Sequence, residues 1–215
     1  MPISELVLAA LRPNVAQEGL SQIRKNQPGI FSTVEGSLSN NIGHVLKHNG
    51  KDISSEYKPI LALEWDRVES FHNFYPASAE FQSFIGLFGP YAAAKATPQL
   101  FEPSSGSSLF SDLVSRGAAL ILIAPAAAGT KEDVSAAWNE VLQAAKGGEL
   151  VGQWEGWGVE GDEGTWAGIL SWNNLEKLER SSADKSVADA VQKLKALFDV
   201  DEYLVSFTST TSTAL

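Results

Sequence analysis

His72 and Tyr75 stand three residues apart in "RVESFHNFY", and an imidazole beside a phenol can take a proton and return one. The spacing around them is helical: Val68, Phe71, His72 and Tyr75 fall at i, i+3, i+4 and i+7, a single face. Val68 and Phe71 need burial, so the whole face is expected to point inward, with His72 as general base and Tyr75 as donor. A core histidine bonded to a backbone carbonyl is the plainer alternative. His44 and His48, the other two of the three histidines, lie four apart in "NIGHVLKHNG". On a helix that spacing suits a two-histidine metal pair, but a catalytic zinc site wants three protein ligands and no neighbour supplies a third. "HNGKD" reads instead as a turn. No metal is expected, and His44 is kept as a residue facing the mouth of a pocket.

The second chemical feature is aromatic. "QWEGWGVEGDEGTWAGILSW", residues 153–172, holds four of the six tryptophans. Indole rings want burial and the indole N–H wants a partner, so such a crowd is core, an interface, or a wall for a flat ligand. A hairpin turn near Asp162 sets Trp154 opposite residues around Leu170. Trp166 and Trp172 then share one face with Trp154, and Trp157 takes the other. Trp172 reads as core, whereas Trp154, Trp157 and Trp166 suit core and ligand wall equally well.

Other chemistries are excluded by what the chain lacks. There is no cysteine, hence no disulfide framework, thiolate nucleophile or iron–sulfur cluster. Gly156, Gly158, Gly161 and Gly164 form neither a phosphate loop nor a dinucleotide fingerprint, so no nucleotide or flavin cofactor is expected. A net charge of −10 argues against nucleic acid and anionic membranes as partners. With 44% hydrophobic and 20% charged residues the composition is that of an ordinary soluble chain. The apolar runs at 6–11 and 118–129 are too short to span a bilayer, and the N-terminus lacks a signal-peptide pattern. A cytoplasmic protein with a small-molecule partner is expected.

The elements that position these residues come in two similar sets. Strand-length apolar runs at 6–11 and 120–124 open each half, followed by helical segments at 16–25 and 131–146. Strands are expected at 30–38 and 59–65, then 150–159 and 165–172; helical regions at 67–91 and 174–198; and closing strands at 99–101 and 203–208. "LALEWDRVESFHNF" lies over "GILSWNNLEKLERS" without a gap, placing Trp65 on Trp172 and Phe71 on Leu178. "FSTVEG" lies over "VGQWEG", and "LVLAALRP" resembles "ALILIAP". Three matches in one order suggest a duplication. The expected fold is α+β: two tandem ferredoxin-like βαββαβ units whose antiparallel sheets pack face to face as an intrachain α/β-barrel pseudo-dimer. The units span 1–102 and 117–209, with a polar linker at 103–116 and a frayed tail at 210–215. Asp66 and Glu69 read as a capping pair at a helix start.

The run "ILALEWDRVESFHNFYPASAEFQSF", residues 60–84, resembles antibiotic-biosynthesis monooxygenase-type domains of the dimeric α/β-barrel superfamily. The shared pattern is a strand ending in tryptophan, an acidic "x-x-E-x-F" helix start, a Ser/Pro break and a short "x-x-F" segment. Heme-degrading relatives place a ligand histidine four residues after that last phenylalanine; here Phe81 is followed by Ile85. Cyclase relatives carry His-Pro-Ala-His at the break; here it is Tyr75-Pro76-Ala77-Ser78. The resemblance therefore implies cofactor-free monooxygenation of a hydrophobic aromatic or polyketide-like molecule of secondary metabolism. His72 and Tyr75 would be catalytic, with Trp65, Phe71, His44, Trp154, Trp157 and Trp166 around the substrate. A cyclase or isomerase of the same substrates, and a non-catalytic binding or stress protein, are the alternatives. A heme protein using His44 or His48 is a third. A homodimer is a further expected form.

Overall fold

Alternation in two short strands sets the plan of the molecule. In β1 (Ile3–Leu8), Ile3 and Val7 join one hydrophobic cluster while Leu6 joins another; in β6 (Ala118–Ala124), Leu120 and Leu122 part from Ile121 and Ile123 in the same way. Strands buried on both faces need layers on both sides. The computed structural model supplies them, describing residues 1–104, 107, 110–114, 117–125, 130–147 and 149–207.

The first half runs β1, α1 (Ala16–Phe31), β2 (Ser37–His48), the two-residue β3 (Lys51–Asp52), β4 (Pro59–Trp65), α2 (Val68–Phe74), α3 (Ala79–Phe88) and β5 (Gln99–Pro103). After α4 (Phe110–Val114) the second half follows: β6, α5 (Lys131–Ala145), β7 (Gly152–Val159), β8 (Trp166–Trp172), α6 (Leu175–Ala183), α7 (Lys185–Leu197) and β9 (Asp201–Phe207). The strands lie in the order β2-β4-β1-β5-β7-β8-β6-β9, and β2 pairs with β9 to close an eight-stranded antiparallel barrel. Each half thus has the strand order of a βαββαβ unit. One cluster fills the barrel interior, and two lie outside it, under α1–α3 and under α5–α7.

Several expectations need correction. The expected barrel is present, but its two sheets do more than stack: β5 pairs with β7 and β9 with β2, so their edges join into one continuous surface. Edge pairing satisfies backbone groups that stacked sheets would leave open. The strand expected at 30–38 is instead the last residues of α1, a turn over 32–36 and the first residues of β2, because Ile23, Gln27 and Phe31 keep the buried helical period past Pro28, which sits in the last turn. β2 begins only at Ser37, so "FSTVEG" and "VGQWEG" are not structural equivalents, whereas Trp65 and Trp172 both end their strands. Asp66 does not cap α2; its carboxylate accepts from the Ser70 hydroxyl. Nor is 103–116 merely polar linker. Phe110, Leu113 and Val114 of α4 are buried in the barrel interior, and Phe110 meets Trp154 at 5.1 Å between ring centroids. Linker positions 105, 106, 108, 109, 115 and 116 and the tail at 210–215 lie outside the described residues. Among the described residues no helix is long and apolar enough to cross a membrane.

Because α4 plugs the barrel interior with a buried aromatic ring, Phe110→Ala is expected to cost about 3–5 kcal/mol, measured by urea denaturation. A loss below about 1 kcal/mol would show that α4 only covers the barrel and does not fill it.

Candidate functional site

On the outer face of the first half a cavity of about 320 Å³ opens between the sheet and its helices. The sheet contributes Val7, Ala9, Leu61 and Leu63; α1 contributes Phe31; α2 and α3 contribute Phe74, Phe81, Phe84 and Phe88. The helices can present so many rings because each keeps a narrow buried stripe: Phe71 and Phe74 on α2, Phe84 and Phe88 on α3, the latter helix started by the Ser78 hydroxyl accepting from Phe81 N–H. The rings lock one another, with Phe31 at 5.1 Å from Phe74 and 5.7 Å from Phe84 between centroids.

One carboxylate interrupts this apolar lining. Glu5 occupies the middle of β1, on the face shared by Ile3 and Val7, and is 6% exposed. Trp65 Nε1–H donates to Glu5 Oε2 at 2.8 Å. Burial pushes the Glu5 carboxyl up to about 7, against the smaller opposing pull of the Trp65 hydrogen bond. A carboxyl poised near neutrality inside an apolar cavity is equipped to exchange a proton with a bound molecule. The sequence carried a signal for it: in "ISELVL" a glutamate stands in phase with Ile3 and Val7 on a strand buried on both faces.

Tyr75 also lines the cavity, half-buried and stacked on Phe71 at 5.4 Å. His72 does not line it. α2 ends at Phe74, and its buried face is Ser70, Phe71 and Phe74, which turns His72 to solvent. His72 Nε2 lies 3.2 Å from Glu160 Oε2 of the other half, both side chains about half exposed. The inward face expected from i, i+3, i+4 and i+7 spacing is therefore rotated by one position, and Tyr75 reaches the cavity from extended backbone at the helix end. Trp65 and Phe71 are fully or nearly buried beneath the lining and meet each other at 6.1 Å.

His44 is remote from the cavity, on strand β2 and not on a helix. Its Nε2 lies 2.9 Å from Ser54 O, its ring stacks on Tyr57, and burial pulls its pKa down. His48 lies 2.8 Å from Asp201 Oδ1 and stacks on Tyr203. Four residues along a strand separate two side chains by about 13 Å, too far for one ion. Among the described residues no three His, Asp or Glu side chains group closely enough to hold a metal.

The tryptophans divide otherwise than expected. In the β7–β8 hairpin Trp154 pairs with Ile169 and Trp157 with Trp166, one residue off the expected register, and a shift of one exchanges faces. Trp154 points into the barrel beside Phe101 and Phe110; Trp157, Trp166 and Trp172 point to the helices. Each of two indoles lies over a glycine two residues ahead: Trp154 over Gly156 and Trp166 over Gly168, where any Cβ would collide with the ring. Trp166 meets Trp138 of α5 at 5.3 Å and donates Nε1–H to Glu155 Oε2 at 3.3 Å. Lys131 Nζ covers Trp157 at 4.9 Å. These rings occupy in the second half the layer that the cavity occupies in the first. Where β1 has Glu5 beside Leu63, β6 has Leu120 beside Leu170, so the position equivalent to Glu5 carries no carboxylate in the second half.

No protein-family model matches this chain, and no curated protein matches it. Solved structures do. A candidate monooxygenase from Lactobacillus acidophilus shares 12% identity at TM-score 0.60, over 96% of this chain and 93% of that one. A candidate monooxygenase from Fusobacterium nucleatum shares 7% at TM-score 0.63, over 96% and 92%. An anthrone oxidase-like protein shares 11% at TM-score 0.61, over 100% and 96%. The chain therefore shares its whole fold with monooxygenase-like proteins at low identity.

The raised Glu5 pKa fixes the sign of a stability effect. Between about 4.5 and about 7 the unfolded chain releases this proton while the folded chain keeps it, so stability falls as pH rises through that window. Glu5→Gln keeps an acceptor for Trp65 and removes the buried charge. The variant is expected to match wild type near pH 4.5 and to exceed it above pH 7, by on the order of 3 kcal/mol, in urea melts across that range. Parallel pH profiles for the two proteins would refute a shifted Glu5.

Proposed function

We propose that the chain is a cofactor-independent oxygenase of the antibiotic-biosynthesis monooxygenase type, acting on a hydrophobic aromatic molecule held in the first-half cavity. The observation that carries this reading is the buried Glu5 carboxylate in a cavity lined mainly by aliphatic and aromatic side chains. A substrate with an acidic CH₂ between two arenes that are conjugated to a carbonyl, as in an anthrone, fits the lining and gives Glu5 a proton to remove. Glu5 takes it; the resulting carbanion, delocalised as a phenolate, passes electrons to dioxygen, and a C–O bond forms to give a hydroperoxide anion that recovers the proton. Removal of the second proton from that carbon expels hydroxide as the O–O bond breaks, leaving a ketone. Hydroxide and the proton make water, so CH₂ and O₂ become C=O and H₂O. The Tyr75 hydroxyl is the donor for the enolate oxygen, and the phenylalanine walls exclude water. Cyclisation or isomerisation of the same substrates would begin with the same proton abstraction.

A binding protein without chemistry is the second reading, favoured by the exposure of His72 and the small number of polar groups in the cavity. Anthrone and dioxygen separate the two. Wild type is expected to convert anthrone to anthraquinone with one dioxygen consumed per ketone formed, and the rate is expected to rise with pH through about 7 as Glu5 ionises. Glu5→Gln should lower the rate at least about 100-fold, the contribution usual for a general base, and Tyr75→Phe by less. His72→Ala should stay within about twofold of wild type. A Glu5→Gln enzyme as fast as wild type would remove the base assignment. Anthrone binding without turnover would favour the binding protein.

A further inference from the structure

Besides Glu5, the cavity lining holds a single charged side chain, Lys95. Glu5 is at the floor, whereas Lys95 is exposed at the mouth, among Ala93, Ala94 and Ala96, with Ile85 exposed on the lining. Lys95 has no ion pair or hydrogen bond among the described residues, while eight other Lys, Arg or His side chains are each paired to a carboxylate. Among the described residues that line the cavity, Lys95 is the one cation.

The backbone fixes where the rim lies. Leu100 of β5 pairs with Glu5, so the chain before β5 runs along the later residues of β1 and past its end. Ala93 N–H donates to Ala10 O at 2.8 Å, and Leu11 and Ala92 form a bridge, which fixes the start of the Lys95 segment beside residues 9–11. Glu5 and Ala9, four strand residues apart, are separated by about 13 Å. The cavity thus runs from a buried proton acceptor to an unpaired cation, with aromatic walls between.

We propose that Lys95 determines specificity by pairing with an anionic substituent, such as a carboxylate, on the end of the aromatic substrate remote from its reacting carbon. This rests on the cavity being the substrate site, and it names the substrate class more closely: a flat aromatic acid, oriented with its acidic C–H toward Glu5. The arrangement also sets orientation, because the reverse pose would bring the substrate anion against the Glu5 carboxylate and leave Lys95 unpaired.

The test uses the full chain and two probes, 2-naphthoate and its neutral methyl ester, titrated by calorimetry at pH 8 and low salt. Lys95→Ala is expected to weaken 2-naphthoate binding about fivefold, the upper range for an exposed ion pair, and Lys95→Glu to weaken it further. The ester should bind wild type and both variants equally, and salt should erode only the naphthoate difference. Unchanged naphthoate binding in Lys95→Ala, equal losses for acid and ester, or a wild type that binds the ester but not the acid would each overturn the assignment. A wild type that binds neither probe would overturn it together with the cavity as substrate site. Binding is read without turnover, so an inactive Glu5→Gln enzyme beside an indifferent Lys95→Ala would leave the base in place and remove only Lys95.

Discussion

An unpaired strand edge presents a row of N–H and C=O groups that must find water or another strand. Each half of this chain, taken alone, would carry two such edges: β2 and β5 in the first, β7 and β9 in the second. Their mutual pairing is the constraint from which the architecture follows. Once β5 meets β7 and β9 meets β2, every strand has an inner and an outer face, the inner faces must fill one closed core, and the outer faces must be covered by helices. The candidate site is a consequence of that outer covering. It lies where α1, α2 and α3 cover the first sheet with phenylalanine rings and leave space between them.

The two halves solve the same packing problem in opposite ways. Over β6 and β8 the layer is closed with indoles, Trp138 against Trp166, made possible by the bare Cα of Gly168 and by Leu120 where β1 has Glu5. Over β1 and β4 the layer stays open. The crowding of tryptophan into residues 153–172 is therefore mostly a matter of filling, and only Trp154 serves the barrel interior.

How much of this was legible in the sequence depended on how many residues had to agree. The βαββαβ order in each half could be read because long periodic runs and turn residues agree over tens of positions. Helix α5 follows its expected bounds closely, since Val134, Trp138, Val141 and Leu142 hold one stripe and Thr130 forms a capping box with Asp133. The site was less legible because it turned on single positions. One residue of rotation on α2 carried His72 into solvent, and one residue of register exchanged the faces of Trp154 and Trp157. Glu5 was overlooked for a different reason: a charged residue in a strand ordinarily marks the solvent face, and only the presence of layers on both sides of β1 shows that it has no such face.

The seam between β2 and β9 joins residues far apart in the chain; His48 and Asp201, bonded across it, are 153 positions apart. On a ribosome β2 emerges well before its partner β9, with most of the other described elements made between them. Until β9 arrives, the outer edge of β2 and the apolar interior face of the first sheet have no cover, although β1, β4 and β5 can already pair among themselves. Closure is thus a late, long-range event whose loop entropy must be met all at once, the kind of step that slows folding and invites association with other chains. The ring that makes the finished barrel free of edges leaves the nascent chain with a sticky one until β9 is made.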